Sequence, residues 1–180
     1  FETIPFIFAN PVADFSINKD TLCANRPLLF SSTVSGISSW NWNFGNGLGI
    51  NSTPFFHTYS NPGKYYIKLV VRDNNGCGSF QKTDSLQVNP VPAVYAGTDK
   101  ILQSGNSVLI DASVSPPSQY GFQWSPVEGL SNATLLNPLA GPEQTTVYTL
   151  TVRDLQSFCS NEDAVKIEVF SKLYIPNTFT

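Results

Sequence analysis

The sequence predicts an all-β protein built as two tandem β-sandwiches, and three observations carry that prediction. Residues 65–72 alternate with a period of two. Tyr65, Ile67, Leu69 and Val71 share one face, while Tyr66, Lys68, Val70 and Arg72 share the other, as in a half-buried strand. Turn-forming groups recur at short intervals: Ser35-Gly36, Gly45-Asn46-Gly47, Asn61-Pro62-Gly63 and Asn74-Asn75-Gly76. The same plan then repeats more loosely around Trp124 and the strand 148–152. No stretch carries a 3.6-residue apolar stripe long enough for a helix.

Taken in order, residues 1–10 form a linker or the last strand of a preceding domain, since the apolar run FETIPFIF is broken by Glu2 and Pro5. The first domain spans 11–89, with strands at 13–17, 28–32, 39–44, 55–59, 65–72 and 80–88. Closely spaced Pro90 and Pro92 stiffen the connector and remove ladder donors. The second domain spans 90–170, with strands at 94–96, 107–112, 121–124, 146–154 and 163–170 and a short edge piece at 135–138. Val165, Ile167 and Val169 alternate with Lys166, Glu168 and Phe170. Residues 171–180 open a further segment.

A chain of 180 residues that is 41% hydrophobic can bury a real core. Only 13% of its residues are charged, well below the roughly 25% usual for soluble domains, so Ser, Thr, Asn and Gln supply the polar cover. The lack of Met, position 1 included, is expected of a processed or partial chain. Net charge is −3 and the Lys and Arg residues are scattered singly along the sequence. Such a chain has no basic stripe for nucleic acid. No apolar run reaches the roughly 20 residues that cross a bilayer, and nothing has the pattern of a signal peptide.

Three cysteines leave the thiol chemistry open. Cys23 and Cys77 flank the same end of the first domain, where a bridge is sterically allowed in an oxidising compartment; two free thiols are the alternative. Cys159 has no partner in its own half and is expected to be unpaired, and inert for want of a histidine in residues 90–180.

Trp42-Asn43-Phe44-Gly45-Asn46-Gly47, His57-Thr58-Tyr59, Pro62-Gly63, Tyr65 and Val71-Arg72-Asp73 together resemble a PKD domain over residues 11–89. The resemblance implies an immunoglobulin-like β-sandwich whose signature residues are Trp42, Phe44, Gly45, Gly47, His57, Tyr59, Gly63 and Tyr65. Asn46 stands where that family usually has Asp, which weakens any cation-binding reading of the turn. The second half is similar to Ig-like repeats of Bacteroidota surface proteins, through Ala96-Gly97, Asp99, Trp124-Ser125-Pro126, Gly129-Leu130-Ser131, Asn137-Pro138 and Tyr148 to Val152. Such repeats usually carry a Cys near Leu102 or Gln103 to pair with the equivalent of Cys159, and this chain lacks it. The segment Tyr174-Ile175-Pro176-Asn177-Thr178-Phe179-Thr180 resembles the opening of the gliding-motility-associated C-terminal domain, which directs cargo through the type IX secretion system.

No residue set points to catalysis. His57 is the only histidine, which rules out a zinc site built on several nitrogen ligands. Trp40, Trp42 and Trp124 are read as core aromatics, with Trp42 and Trp124 between sheets; the alternative is a sugar-stacking platform joined by Phe55, Tyr66 and Tyr120. Asp14, Asp73 and Asp84, with Glu2, are weak calcium candidates near a domain end, and no other cofactor is expected. Asn51-Ser52-Thr53 and Asn132-Ala133-Thr134 match the N-glycosylation pattern. The Bacteroidota resemblance implies O-glycosylation instead, at Thr21 and Ser85.

The expected function is a non-enzymatic stalk or spacer of an exported cell-surface adhesin, used in gliding motility or attachment. Its expected partners are neighbouring repeats of the same chain and, through the type IX resemblance, translocon or outer-membrane shuttle and attachment proteins, with no nucleic acid and no insertion into lipid. The rival is a carbohydrate-binding or spacer module of a secreted polysaccharide-degrading enzyme.

Overall fold

The computed structural model describes residues 12–17, 22–32, 34–74 and 79–171. Expectations for residues 1–10, Thr21, Cys77 and 172–180 lie outside them. The chain divides into two compact units, Phe1–Pro90 and Val91–Thr180. Each is a β-sandwich, and all regular structure among the described residues is β-strand.

In the first unit, β1 (Ser16–Ile17), β2 (Pro27–Ser31) and β5 (Phe55–Thr58) form a three-stranded antiparallel sheet. It packs against a four-stranded sheet ordered β4 (Gly49–Ile50), β3 (Ile37–Asn43), β6 (Gly63–Asp73) and β7 (Ser79–Val88). The alternation in β6 decides this packing: Ile67, Leu69 and Val71 are fully buried, and Lys68 and Arg72 are exposed. Phe15, Leu28, Phe30, Trp42, Phe44, Tyr59, Leu86 and Val88 complete the core. Trp42 is its centre, with edge-on contacts to Phe15, Phe30 and Phe55 at ring separations of 5.2, 5.9 and 5.3 Å. Such edge-on pairs match the ring quadrupoles and add to the area that the rings bury.

The second unit has a four-stranded sheet ordered β12 (Tyr120–Ser125), β14 (Thr146–Asp154), β15 (Ser160–Phe170) and β9 (Lys100–Gln103), the last pairing parallel to β15. Opposite it lie two short ladders, β8 (Ala93–Tyr95) with β11 (Ser113–Ser115), and β10 (Val108–Leu109) with β13 (Leu139–Ala140). Ala96, Ile110, Trp124, Tyr148, Leu150, Val152, Val165 and Ile167 fill the space between.

Three expectations change here. The strand expected at 107–112 is only the two-residue β10, because its ladder ends at Pro138: Ile110 still donates its N–H to the Pro138 carbonyl at 3.0 Å, but proline has no N–H to return. The edge piece expected at 135–138 is displaced to β13, since the Leu135 carbonyl is taken by an indole and the Pro138 carbonyl by Ile110. β9 was not expected at all: Lys-Ile-Leu-Gln has too little alternation, and its order comes from its parallel partner.

Candidate functional site

The signature turn after β3 is a structural knot. Gly45 donates its N–H to Asn43 Oδ1 at 2.8 Å, and Phe44 donates its N–H to the Leu48 carbonyl at 3.2 Å. Gly45 has φ of 76°, and a Cβ there would lie 2.8 Å from the Tyr66 carbonyl oxygen. The turn therefore lies directly on β6, and only glycine fits. The His57 ring stacks on Phe44 at 4.1 Å, and Asn46 Nδ2 donates to His57 Nε2 at 3.2 Å. Burial holds the His57 pKa below its ordinary value. The Tyr59 hydroxyl donates to the Phe44 carbonyl at 3.1 Å, and burial, then Tyr65, raises its pKa far above the ordinary phenol. Tyr65 lies 4.1 Å from the Tyr59 ring and donates to the Asn61 carbonyl at 2.8 Å, where Gly63 begins β6. The imidazole, held by an amide partner and aromatic neighbours, ties the turn to β5.

Trp124 is fully buried and donates its indole N–H to the Leu135 carbonyl at 2.9 Å; Tyr148, equally buried, donates to the Glu128 carbonyl at 2.7 Å. Trp42 is buried too, but its Nε1 has no acceptor among the described residues. Phe55 stacks on Phe30 at 5.5 Å inside the first sandwich, so of the aromatics considered as sugar platforms only Tyr66, 59% exposed, stands clear on a sheet face.

The calcium candidates do not converge. Asp14 is ion-paired with Lys82, whose hydrogen bond, with that of the Phe15 N–H, lowers the Asp14 pKa. Asp84 accepts from the Ser85 N–H at 2.7 Å, and Asp73 ends β6 with its carbonyl accepting from Ser38 Oγ at 2.6 Å. Among the described residues, no group of three or more His, Cys, Asp or Glu is placed to hold a metal ion. Asp154 is used locally: it is 9% exposed, its Oδ2 accepts from Ser118 Oγ at 2.6 Å, and its Oδ1 accepts from the N–H groups of Gln156 and Ser157 at 2.9 and 2.7 Å. These bonds, that of Ser118 first, lower its pKa to about 2.

The expectation for Cys159 is corrected: it is disulfide-bonded and buried. Cys23 is likewise disulfide-bonded. The Asn132 side chain folds back onto its own sequon, Oδ1 accepting from Thr134 N–H and Oγ1, both at 2.8 Å.

Strand register produces one feature that linear reading passed over. Lys64, Lys68 and Arg72, four residues apart, all project from the outer face of β6. Opposite them across β3 and β7 stand Ser39, Asn43, Gln87 and Thr83, and no carboxylate occupies an outward position of these strands among the described residues. At one end of the row a cleft of about 400 Å³ is lined by Ser39, Trp40, Asn41, Asn51, Val70 and Arg72. The two-residue alternation already put Lys68 and Arg72 on one face; only their isolation in sequence hid the row.

Compared with known proteins, residues 8–88 match the family described as PKD domain. Among solved structures, the chain is similar to the PKD1 domain of the Vibrio cholerae metalloprotease PrtV, at 28% identity over 44% of this chain and 96% of that one, with a TM-score of 0.39. The PKD1 domain of Vibrio anguillarum Epp gives 27% identity over 44% and 94%, with a TM-score of 0.39. The C-terminal 282-residue fragment of intimin, in complex with the intimin-binding domain of its translocated receptor, aligns over 87% of this chain and 63% of that one at 10% identity and a TM-score of 0.50. The chain thus folds as two tandem β-sandwiches of the Ig/PKD type. No helix among the described residues is long and apolar enough to cross a membrane.

Proposed function

We propose that this chain is a stalk or spacer segment of an exported cell-surface adhesin, delivered by the type IX system and serving attachment or gliding. The observation that carries the reading is the way both sandwiches spend their chemistry on themselves. Each central Trp is sealed between sheets, and His57, Tyr59, Tyr148 and Asp154 are engaged within their own unit. Modules so closed, repeated in tandem, suit a role of holding another element at a distance. The resemblance of residues 174–180 to a sorting domain supplies the export route, and the low charge with abundant Ser, Thr and Asn fits an exposed surface location. Modification at Thr21 and Ser85 belongs to the same proposal; Ser85 lies on β7 opposite Tyr66.

The test is peptide mass spectrometry, without reduction, on the protein purified from its native host, read past both ends of these 180 residues. Many further sandwich repeats before Phe1, a sorting domain after Thr180 and glycans on Thr21 or Ser85 are expected. A catalytic domain before Phe1 overturns the adhesin reading in favour of an accessory module of a polysaccharide-degrading enzyme, a second reading favoured by the exposed Tyr66 and its polar surroundings.

A further inference from the structure

The outer face of the four-stranded sheet in the first unit has a composition that packing does not explain. Its central strand carries Lys64, Tyr66, Lys68, Val70 and Arg72 outward, flanked by amides and hydroxyls. The protein as a whole is acidic, with net charge −3. Three of its cations nevertheless share one face on which none is met by a carboxylate of these strands. Elsewhere, by contrast, Lys82, Lys100 and Lys166 are ion-paired with Asp14, Asp111 and Glu168.

We infer that this face binds an acidic polysaccharide, a glycan whose carboxylate-bearing sugars alternate with uncharged ones. Successive cations four residues apart on a strand are separated by roughly 13 Å, with neutral side chains between them. That spacing suits a polymer with sparse charge. A nucleic acid strand carries a phosphate at every nucleotide and is held by a denser basic surface. The intervening groups fit sugar hydroxyls, since Asn41 and Thr83 offer both donors and acceptors. Lys64 Nζ lies 5.3 Å from the centre of the Tyr66 ring, holding one charge and one aromatic surface together. The cleft beside Arg72 has the volume of a small-molecule site. Arg72 at its mouth presents a planar fork that matches a carboxylate.

The inference concerns this face alone and does not rest on the stalk reading. Its test is affinity electrophoresis and calorimetry of the 180-residue chain with hyaluronan as the acidic probe, dextran as the neutral one and a single-stranded oligonucleotide as the alternative polyanion. Retardation by hyaluronan and not by dextran is expected. The double variant Lys68→Gln with Arg72→Gln, both exposed and outside the core, is expected to weaken binding at least tenfold, while Lys166→Gln in the second unit leaves it unchanged. Circular dichroism checks that each variant is folded. Absence of hyaluronan binding, equal loss in Lys166→Gln, or tighter binding of the oligonucleotide than of hyaluronan overturns the inference. Either result leaves the mass-spectrometric test of the stalk reading standing.

Discussion

The indole of Trp124 donates to the carbonyl of Leu135 at 2.9 Å, and the corresponding donor of Trp42 has no acceptor among the described residues. Two central tryptophans of similar burial thus differ in one hydrogen bond. Trp124→Phe removes volume and strands the Leu135 carbonyl, so it is expected to destabilise the second unit by about 2–4 kcal/mol. Trp42→Phe loses comparable volume but also removes an unsatisfied buried N–H, and its cost is expected to be lower by about 1 kcal/mol or more. Urea titration, fitted with separate transitions for the two units, checks the order. An equal or larger cost at Trp42 would mean that its N–H is satisfied.

The single histidine provides a direct pH reading. Burial lowers the His57 pKa below 6.5, so the fold holds the ring neutral, and the unfolded chain takes up the proton first as pH falls. Stability of the first unit is therefore expected to be full above pH 6.5 and to decline below it until the folded-state pKa is passed. Asn46→Asp replaces the amide donor facing Nε2 with a carboxylate acceptor, which is expected to raise the His57 pKa and reduce that decline. NMR titration of the one His resolves both proteins, and an unchanged or lower pKa in the variant would contradict the assignment of the contact.

Asp154 works in the opposite sense. Its folded-state pKa of about 2 lies below the ordinary 3.8, so its contribution is fully present above pH 3.8 and is lost as pH falls towards 2. Asp154→Asn is expected to abolish that acid-range dependence in the second unit while leaving the first unit's response to His57 in place. Acid titration followed by tyrosine and tryptophan fluorescence separates the two, and an acid transition unchanged in the variant would place its origin in other carboxylates.

How much of this was legible in sequence follows from what sets each element. β6 and β14 were readable because burial of one face imposes a period of two that their residues display. β9 was not, because a four-residue parallel edge depends on β15, which lies far along the chain. The aromatic knot could be read as a set of residues, Phe44, His57 and Tyr59, but the Asn46–His57 contact requires the turn after β3 to reach β5 of the facing sheet. Cys159 shows the limit most plainly: pairing is a property of three-dimensional proximity, which spacing along the sequence does not give. The cation row lies between these cases, since its residues occupy alternating positions of a strand that was recognised, while the lack of acids opposite them depends on register with β3 and β7.

The two glycines of the turn are expected to respond differently to the same change. Gly45 and Gly47 both have positive φ, 76° and 83°. An alanine Cβ at Gly47 meets nothing within 4 Å, so Gly47→Ala carries the conformational cost alone, about 1 kcal/mol. At Gly45 the Cβ would lie 2.8 and 2.9 Å from the Tyr66 carbonyl oxygen and amide nitrogen, both backbone atoms of a central strand. Neither can move without disturbing the β6 ladder, so Gly45→Ala is expected to cost at least about 3 kcal/mol. It should also shift the Tyr66 amide resonance, which Gly47→Ala should leave in place. Chemical denaturation and NMR of the two variants make the comparison within one turn, and equal costs would show that the close approach to Tyr66 is relieved at little expense.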